Sequence, residues 1–351
     1  MRATVVVFLL SAVIGAFTLV RAQQSSPEKQ AGTLRADVNL VSVYFSVRDG
    51  KGRLVTDLGK DAFKVFEDGR EQSISFFAHH SDVPLNVGVL LDTSTSLPRT
   101  LGLEAEAAGR FFDSVMREND LGFLVSYASR IETLQVPTED SHLLNQKAQT
   151  IRRNAKPDDL VLPPPRRQGR IQTFPFPIPV PPQTGPQPQD VRVARLYDAV
   201  GSSVDRFLSN EVGRKALVIV ALADDARSNS SLRDALRTLK QNDVIAYVME
   251  VEHAPAARGR DDCDILHIFN RDGGNRLDRL AEETGGRVIK VKGFDKMQEA
   301  FDQIAEELHQ QYSLGYRPAN QKWDGGFRKL EIKAGRDYRV SARDGYYATP
   351  R

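Results

Sequence analysis

The feature that most constrains this chain is a short, unbroken apolar run, Val87-Gly88-Val89-Leu90-Leu91, that stops abruptly at Asp92-Thr93-Ser94-Thr95-Ser96. A run with no polar alternation fits a strand covered on both faces. Pro98 then opens a helical pattern that puts Leu101, Ala105, Ala108, Phe112 and Val115 on one face. Further strand-like runs follow at 121–127, 131–136, 216–222, 244–251 and 287–291. Helical patterns over 143–153, 193–208, 231–239, 277–284 and 296–310 separate most of them. Strands alternating with helices predict a doubly wound, mainly parallel sheet with helices on both faces.

Both ends of the chain have a different texture. At 38–47, Val41, Val43 and Phe45 alternate with Ser42, Tyr44 and Ser46, and Asp49-Gly50-Lys51-Gly52 invites a hairpin. Short β-like stretches follow at 63–66 and 73–77, and others lie at 312–316, 327–332, 338–341 and 346–347, with glycine turns between them. Either block alone is marginal as a sheet. The expectation is therefore one small β-sandwich built from both ends (37–82 and 312–351), with the α/β domain (83–311) inserted into it. Within that domain, 156–190 is a proline-rich insertion. It has 11 prolines between 157 and 188, including Pro163-Pro164-Pro165, and can neither join a sheet nor continue a helix. Phe174 and Phe176 are its only hint of a docking segment.

Arg2, an apolar stretch over 5–20 and Val20-Arg21-Ala22 read as a signal peptide (1–22), followed by a polar linker over 23–36. The alternative is an N-terminal anchor; nothing later in the sequence resembles a membrane span. Export to the periplasm, the cell surface or the medium follows from the first reading. Cys263 is the single cysteine, so neither an intramolecular disulfide nor a thiolate metal cluster is available. With 48 basic against 46 acidic residues the net charge is +2, which gives no electrostatic case for nucleic acid.

Asp92, Ser94 and Ser96 lie where a buried strand gives way to a helix, the position at which open α/β sheets bind ligands. Alternate positions through the turn bring one carboxylate and two hydroxyls together. These are hard oxygen donors suited to Mg²⁺, or to Mn²⁺ or Ca²⁺. On spacing alone the other reading stands equally: Ser94 and Ser96 cap the helix while Asp92 accepts a turn hydrogen bond.

The stretch 86–96 resembles the start of a von Willebrand factor type A domain, with the first part of its metal-ion-dependent adhesion site. Arg195-Leu196-Tyr197-Asp198-Ala199, Arg214-Lys215-Ala216-Leu217-Val218, the segments at 280–287 and 300–308, Gln311-Tyr312-Ser313-Leu314-Gly315-Tyr316 and Gly345-Tyr346-Tyr347 carry the likeness further. Together they resemble the VWFA-related domain family known mainly from acidobacteria, over about 38–348. The resemblance implies an adhesion-type, protein-binding module. Its metal would be held by the Asp-x-Ser-x-Ser residues, a Thr and an Asp from two later loops, and a carboxylate from the partner protein. Asp92, Ser94 and Ser96 match. Ala194 stands where the family has its Thr, and Leu222 where it has its Asp; Asp224 and Asp225 follow and would reach the site only if the strand end shifted. Mg²⁺ needs near-ideal octahedral geometry, so the expectation is weak or absent metal binding.

Two other classes remain as expectations. One is a metal-independent structural or envelope-assembly protein. The other is an enzyme: an apolar strand ending in Asp-x-Ser resembles haloacid dehalogenase-type phosphatases, but Ser94 takes the place of their second Asp, the proton donor. No Gly-x-Ser-x-Gly elbow, phosphate-binding glycine loop or His-Glu-x-x-His is present, and His79-His80 reads as a solvated turn. The chain is expected not to be an enzyme.

Overall fold

The computed structural model describes residues 40–79, 83–94, 98–154, 194–221, 228–252 and 275–349. The segments expected as signal peptide and linker, the proline-rich insertion, Cys263, His80, Ser96, Leu222, Asp224 and Asp225 lie outside them.

The first strands are β1 (Val41–Asp49), β2 (Lys64–Glu67), β3 (Arg70–Gln72) and β4 (Ile74–Ala78). Next comes the α/β alternation: β5 (Leu85–Asp92), α1 (Pro98–Val115), β6 (Leu121–Tyr127), β7 (Ile131–Thr138) and α2 (Ser141–Asn154). It resumes with α3 (Leu196–Ser203), β8 (Arg214–Ala221), α4 (Leu232–Gln241) and β9 (Val244–Glu252). A helix over 275–282 (α5), β10 (Val288–Lys292) and α6 (Met297–His309) complete it. The chain then gives β11 (Tyr312–Tyr316), β12 (Phe327–Lys333), β13 (Tyr338–Ser341) and β14 (Gly345–Tyr347).

The central sheet has six strands in the order β10-β9-β8-β5-β6-β7. Every neighbouring pair is parallel except β6 with β7, which forms an antiparallel edge. Counted along the sheet's own strands this is order 3-2-1-4-5-6, with the reversal of winding falling between β5 and β8. Helices cover both faces. Val87, Val89 and Leu91 pack with Phe111, Phe112, Leu144, Phe301 and Ile304 on one side, while Leu90 packs with Leu196, Val200, Leu236 and Leu280 on the other. The body is a doubly wound α/β domain built on a mainly parallel sheet. Gly88 is required within it: a Cβ there would lie 2.1 Å from the Phe123 ring, which fills the space beside β5.

The terminal strands form two four-stranded sheets, β13-β1-β11-β4 and β14-β12-β2-β3, each mixing strands from both ends of the chain. They share one buried cluster that includes Val43, Phe45, Val65, Tyr312, Leu314 and Leu330. At its centre the buried Glu67 accepts hydrogen bonds from the phenols of Tyr316 (2.7 Å) and Tyr346 (2.9 Å). Such a polar group is tolerated inside because it is hydrogen-bonded. One tie from these strands to the α/β body is Glu307 on α6, which is 0% exposed. Its carboxylate takes Ser46 Oγ (2.7 Å), Arg287 Nε (2.8 Å) and the Arg48 guanidinium.

The turn at 49–52 closes a short hairpin, with an Arg48–Leu54 bridge, the Val55 N–H on the Val47 carbonyl (2.9 Å) and the Asp49 N–H on the Arg53 carbonyl (2.9 Å). The structure corrects the sequence in two places. The helix read over 193–208 is α3 followed by a π turn over Val204–Leu208, closed by the Ser209 N–H on the Val204 carbonyl (2.9 Å). The wider turn keeps Val204 and Leu208 buried and sets Phe207 5.0 Å from the Phe123 ring. Finally, β8 starts at Arg214, where the Arg214 N–H meets the Pro84 carbonyl, and ends at Ala221.

Candidate functional site

Where the winding of an open α/β sheet reverses, a ligand crevice is expected at the carboxyl ends of the strands; here that place lies between β5 and β8, and Asp92 is the last residue of β5. Its carboxylate Oδ1 accepts the backbone N–H of Ser94 (2.9 Å), so the turn hydrogen bond of the simpler reading is present. The Ser94 hydroxyl serves nothing comparable: Oγ is buried and has no hydrogen-bond partner among the described residues. A buried hydroxyl without a partner carries a desolvation cost of about 1–3 kcal/mol, which a ligand at that point would offset. Asp92 itself is 0% exposed, and Thr93 and Ser94 are partly exposed above it.

The crevice floor is rigid. Thr93 N–H bonds to the Tyr127 carbonyl (2.9 Å) at the end of β6. The Tyr127 phenol crosses β5 to donate to the Val220 carbonyl of β8 (2.9 Å). Beside it Asp198, in the first turn of α3, clamps the loop that precedes α4. It accepts the N–H groups of Asn229 (3.0 Å) and Ser230 (2.9 Å) and the side chain of Arg195 (2.7 Å), while its own N–H donates to Ser228 Oγ. Burial alone would raise the Asp198 pKa, but these donors outweigh it and hold the carboxyl at about 2. Its oxygens are committed to the loop, so Asp198 positions the rim. The sequence signal was present in the Arg195/Asp198 spacing across a helix start, but it reads as an ordinary surface pair. Ser231 and Asp234 then form a reciprocal cap that fixes the start of α4.

Ala194 is 1% exposed and lies in the apolar cluster of that face, so this position offers no side-chain oxygen. No group of three or more His, Cys, Asp or Glu side chains suited to a metal occurs among the described residues. Asp92 and the Ser94 hydroxyl do fit a hard cation as a partial set: one carboxylate and one unsatisfied oxygen, with water required for the rest.

His79 is exposed and joins the Thr56 carbonyl through Nδ1 (3.0 Å). His309 bonds the Val115 carbonyl (2.9 Å), and burial lowers its pKa. Neither lies in the crevice.

No protein-family model matches the chain, and no curated relative does. Similar solved structures include proximal thread matrix protein 1 from the mussel byssus, at 9% identity and TM-score 0.44, covering 75% of this chain and 50% of that one. This chain thus spans about half the length of the byssus protein. A further structure of that protein has a zinc-occupied MIDAS motif, the metal-ion-dependent adhesion site. Others are a von Willebrand factor type A protein from Catenulispora acidiphila (10% identity, 82% and 73% covered, TM-score 0.40) and the vWF domain of the type V pili tip protein Mfa5 from Porphyromonas gingivalis (10%, 64% and 94%, 0.41). At this level the likeness concerns the arrangement of strands and helices and reaches no residue of the crevice. Among the described residues no helix is long and apolar enough to cross a membrane.

Proposed function

We propose that this chain is an exported, adhesion-type protein-interaction module without catalytic activity, and that its contact face is the crevice at Asp92 and Ser94. The observation that carries this reading is the buried, unpartnered Ser94 hydroxyl beside Asp92 at the point where the sheet reverses its winding. The rest of the proposal follows the sequence. Residues 1–22 direct export, and the strands of 37–82 and 312–351 act as one β-sandwich that carries the inserted α/β domain.

A divalent cation (Mg²⁺, Mn²⁺ or Ca²⁺) would be held by Asp92, Ser94 and Ser96, and would supply a Lewis-acid contact for a carboxylate of the partner protein. The alanine at 194 favours weak occupancy, because one expected oxygen is replaced by buried methyl surface. The same observation supports a second reading, in which the partner docks on the crevice without metal.

Site-specific photocrosslinking in the producing cell tests the contact face. With the photoreactive group at Thr93 or Asn229, a discrete crosslinked protein is expected; with it at Lys60, in the single helical turn between β1 and β2, none is. Crosslinks that form from Lys60 and not from the crevice would overturn the proposal.

A further inference from the structure

At the other end of the central sheet, the N-terminal edges of β5, β8 and β9 open onto a cavity of about 470 Å³, within the usual size of small-ligand sites. Its walls come from separate parts of the fold. Val83 and Val212 precede β5 and β8, Leu239 ends α4, Val244 and Ile245 begin β9, and Tyr44 reaches in from β1. Val212 is 89% exposed beside it, unusual for a large aliphatic side chain.

Two donors line this space with unfilled capacity. Lys215 makes no ion pair among the described residues; Glu211 acts on it only from a distance, and burial pushes its ammonium below the ordinary lysine range. Tyr44 is half-buried under the combined field of Arg214 and Arg343, and burial raises its phenol pKa against that field. The two arginines are committed elsewhere: Arg343 to Asp243 and the Ser42 carbonyl (2.8 Å), Arg214 to the carbonyls of Val83 (3.0 Å) and Leu308 (2.6 Å). The cavity therefore offers one ammonium, one phenol and aliphatic walls. Glu211 and Asp243 also line it and would repel a second negative charge.

We infer that this cavity is a second binding site, independent of the crevice, and that it takes a monocarboxylate on an apolar body. The carboxylate meets Lys215 and Tyr44, and the apolar body lies against Val83, Val212 and Ile245. A peptide C-terminus ending in an aliphatic residue and a free aliphatic acid share this chemistry.

Calorimetric titration of the full chain separates the outcomes, using an N-acetylated dipeptide ending in leucine as free acid and as amide, and sodium hexanoate. The free acid is expected to bind, with the amide and the Lys215→Met variant each about tenfold weaker, the loss expected for one charge-assisted contact. Hexanoate binding as tightly as the peptide would identify free acids as the source, and peptide-only binding would identify chain termini. Should Lys215→Met fail to melt as the parent does, Tyr44→Phe replaces it, with a severalfold loss expected. Equal affinity for acid and amide, unchanged affinity in the folded variant, or no heat from either acid at millimolar concentration would overturn the inference.

Discussion

The Tyr127 phenol on β6 passes across β5 to donate to the Val220 carbonyl on β8, joining three strand ends through one fully buried side chain. The three carboxyl ends that frame Asp92 are thereby held in one register, which gives the Asp92–Ser94 turn a fixed base.

Tyr127→Phe removes that bond and leaves the ring in place. A typical buried hydrogen bond contributes about 0.5–1.5 kcal/mol, so the urea midpoint should fall by an amount in that range with the slope unchanged. A loss well above it would mean that the phenol also orders the residues after Asp92.

Asp198 should make the rim acid-sensitive. Its folded pKa of about 2 lies below the ordinary 3.8. The carboxylate therefore stabilises the fold fully above pH ~4 and loses that contribution as pH falls through 2. Asp198→Asn should cost about 1–2 kcal/mol at neutral pH and flatten this part of the stability–pH curve. Hydrogen exchange should quicken at Asn229 and Ser230, whose N–H groups the carboxylate now holds.

Glu307 joins α6 to β1. Its pKa is lowered: burial opposes ionisation, but Arg287, Arg48 and Ser46 outweigh it. Its contribution is therefore present above the ordinary glutamate value and lost as pH falls below it. Glu307→Ala should cost about 3 kcal/mol, because two guanidinium groups lose their shared counter-charge. Both arginines keep partial access to water, which holds the figure at the low end for a buried ion pair. Thermal melting of the variant checks it.

These cases mark what was legible beforehand. The strands of the central sheet declared themselves as apolar runs, and Asp92 stood at the end of the first. Glu307 did not, because a glutamate on an amphipathic helix reads as solvated until β1 brings Ser46 and Arg48 against it. The burial of Ser46, on the polar side of an alternating strand, has the same cause. The Tyr127–Val220 bond depends on strand order, which local periodicity does not encode. Strand pairing between the two ends of the chain was inferred from the weakness of each end alone, but the partners β11 and β13 for β1 required long-range register. The π turn after α3 lay hidden because Val204 and Leu208 suit an α-helical face equally well.

Gly88→Ala tests how closely the sheet is packed. The added methyl would meet the Phe123 ring, and overpacking of this kind costs about 1–3 kcal/mol. Denaturant unfolding of the variant measures it, and Gly88→Ala combined with Phe123→Leu should recover part of the loss.

Calorimetric titration of Mn²⁺ into the full chain, its Ser94→Ala variant and an Ala194→Thr, Leu222→Asp variant tests the crevice most directly. Weak binding in the parent, near ~1 mM as in low-affinity extracellular cation sites, should vanish in Ser94→Ala and tighten about tenfold when the two missing oxygens are restored. Binding that survives Ser94→Ala, or no binding even after the double restoration, would contradict the assignment of Asp92 and Ser94 as a cation site.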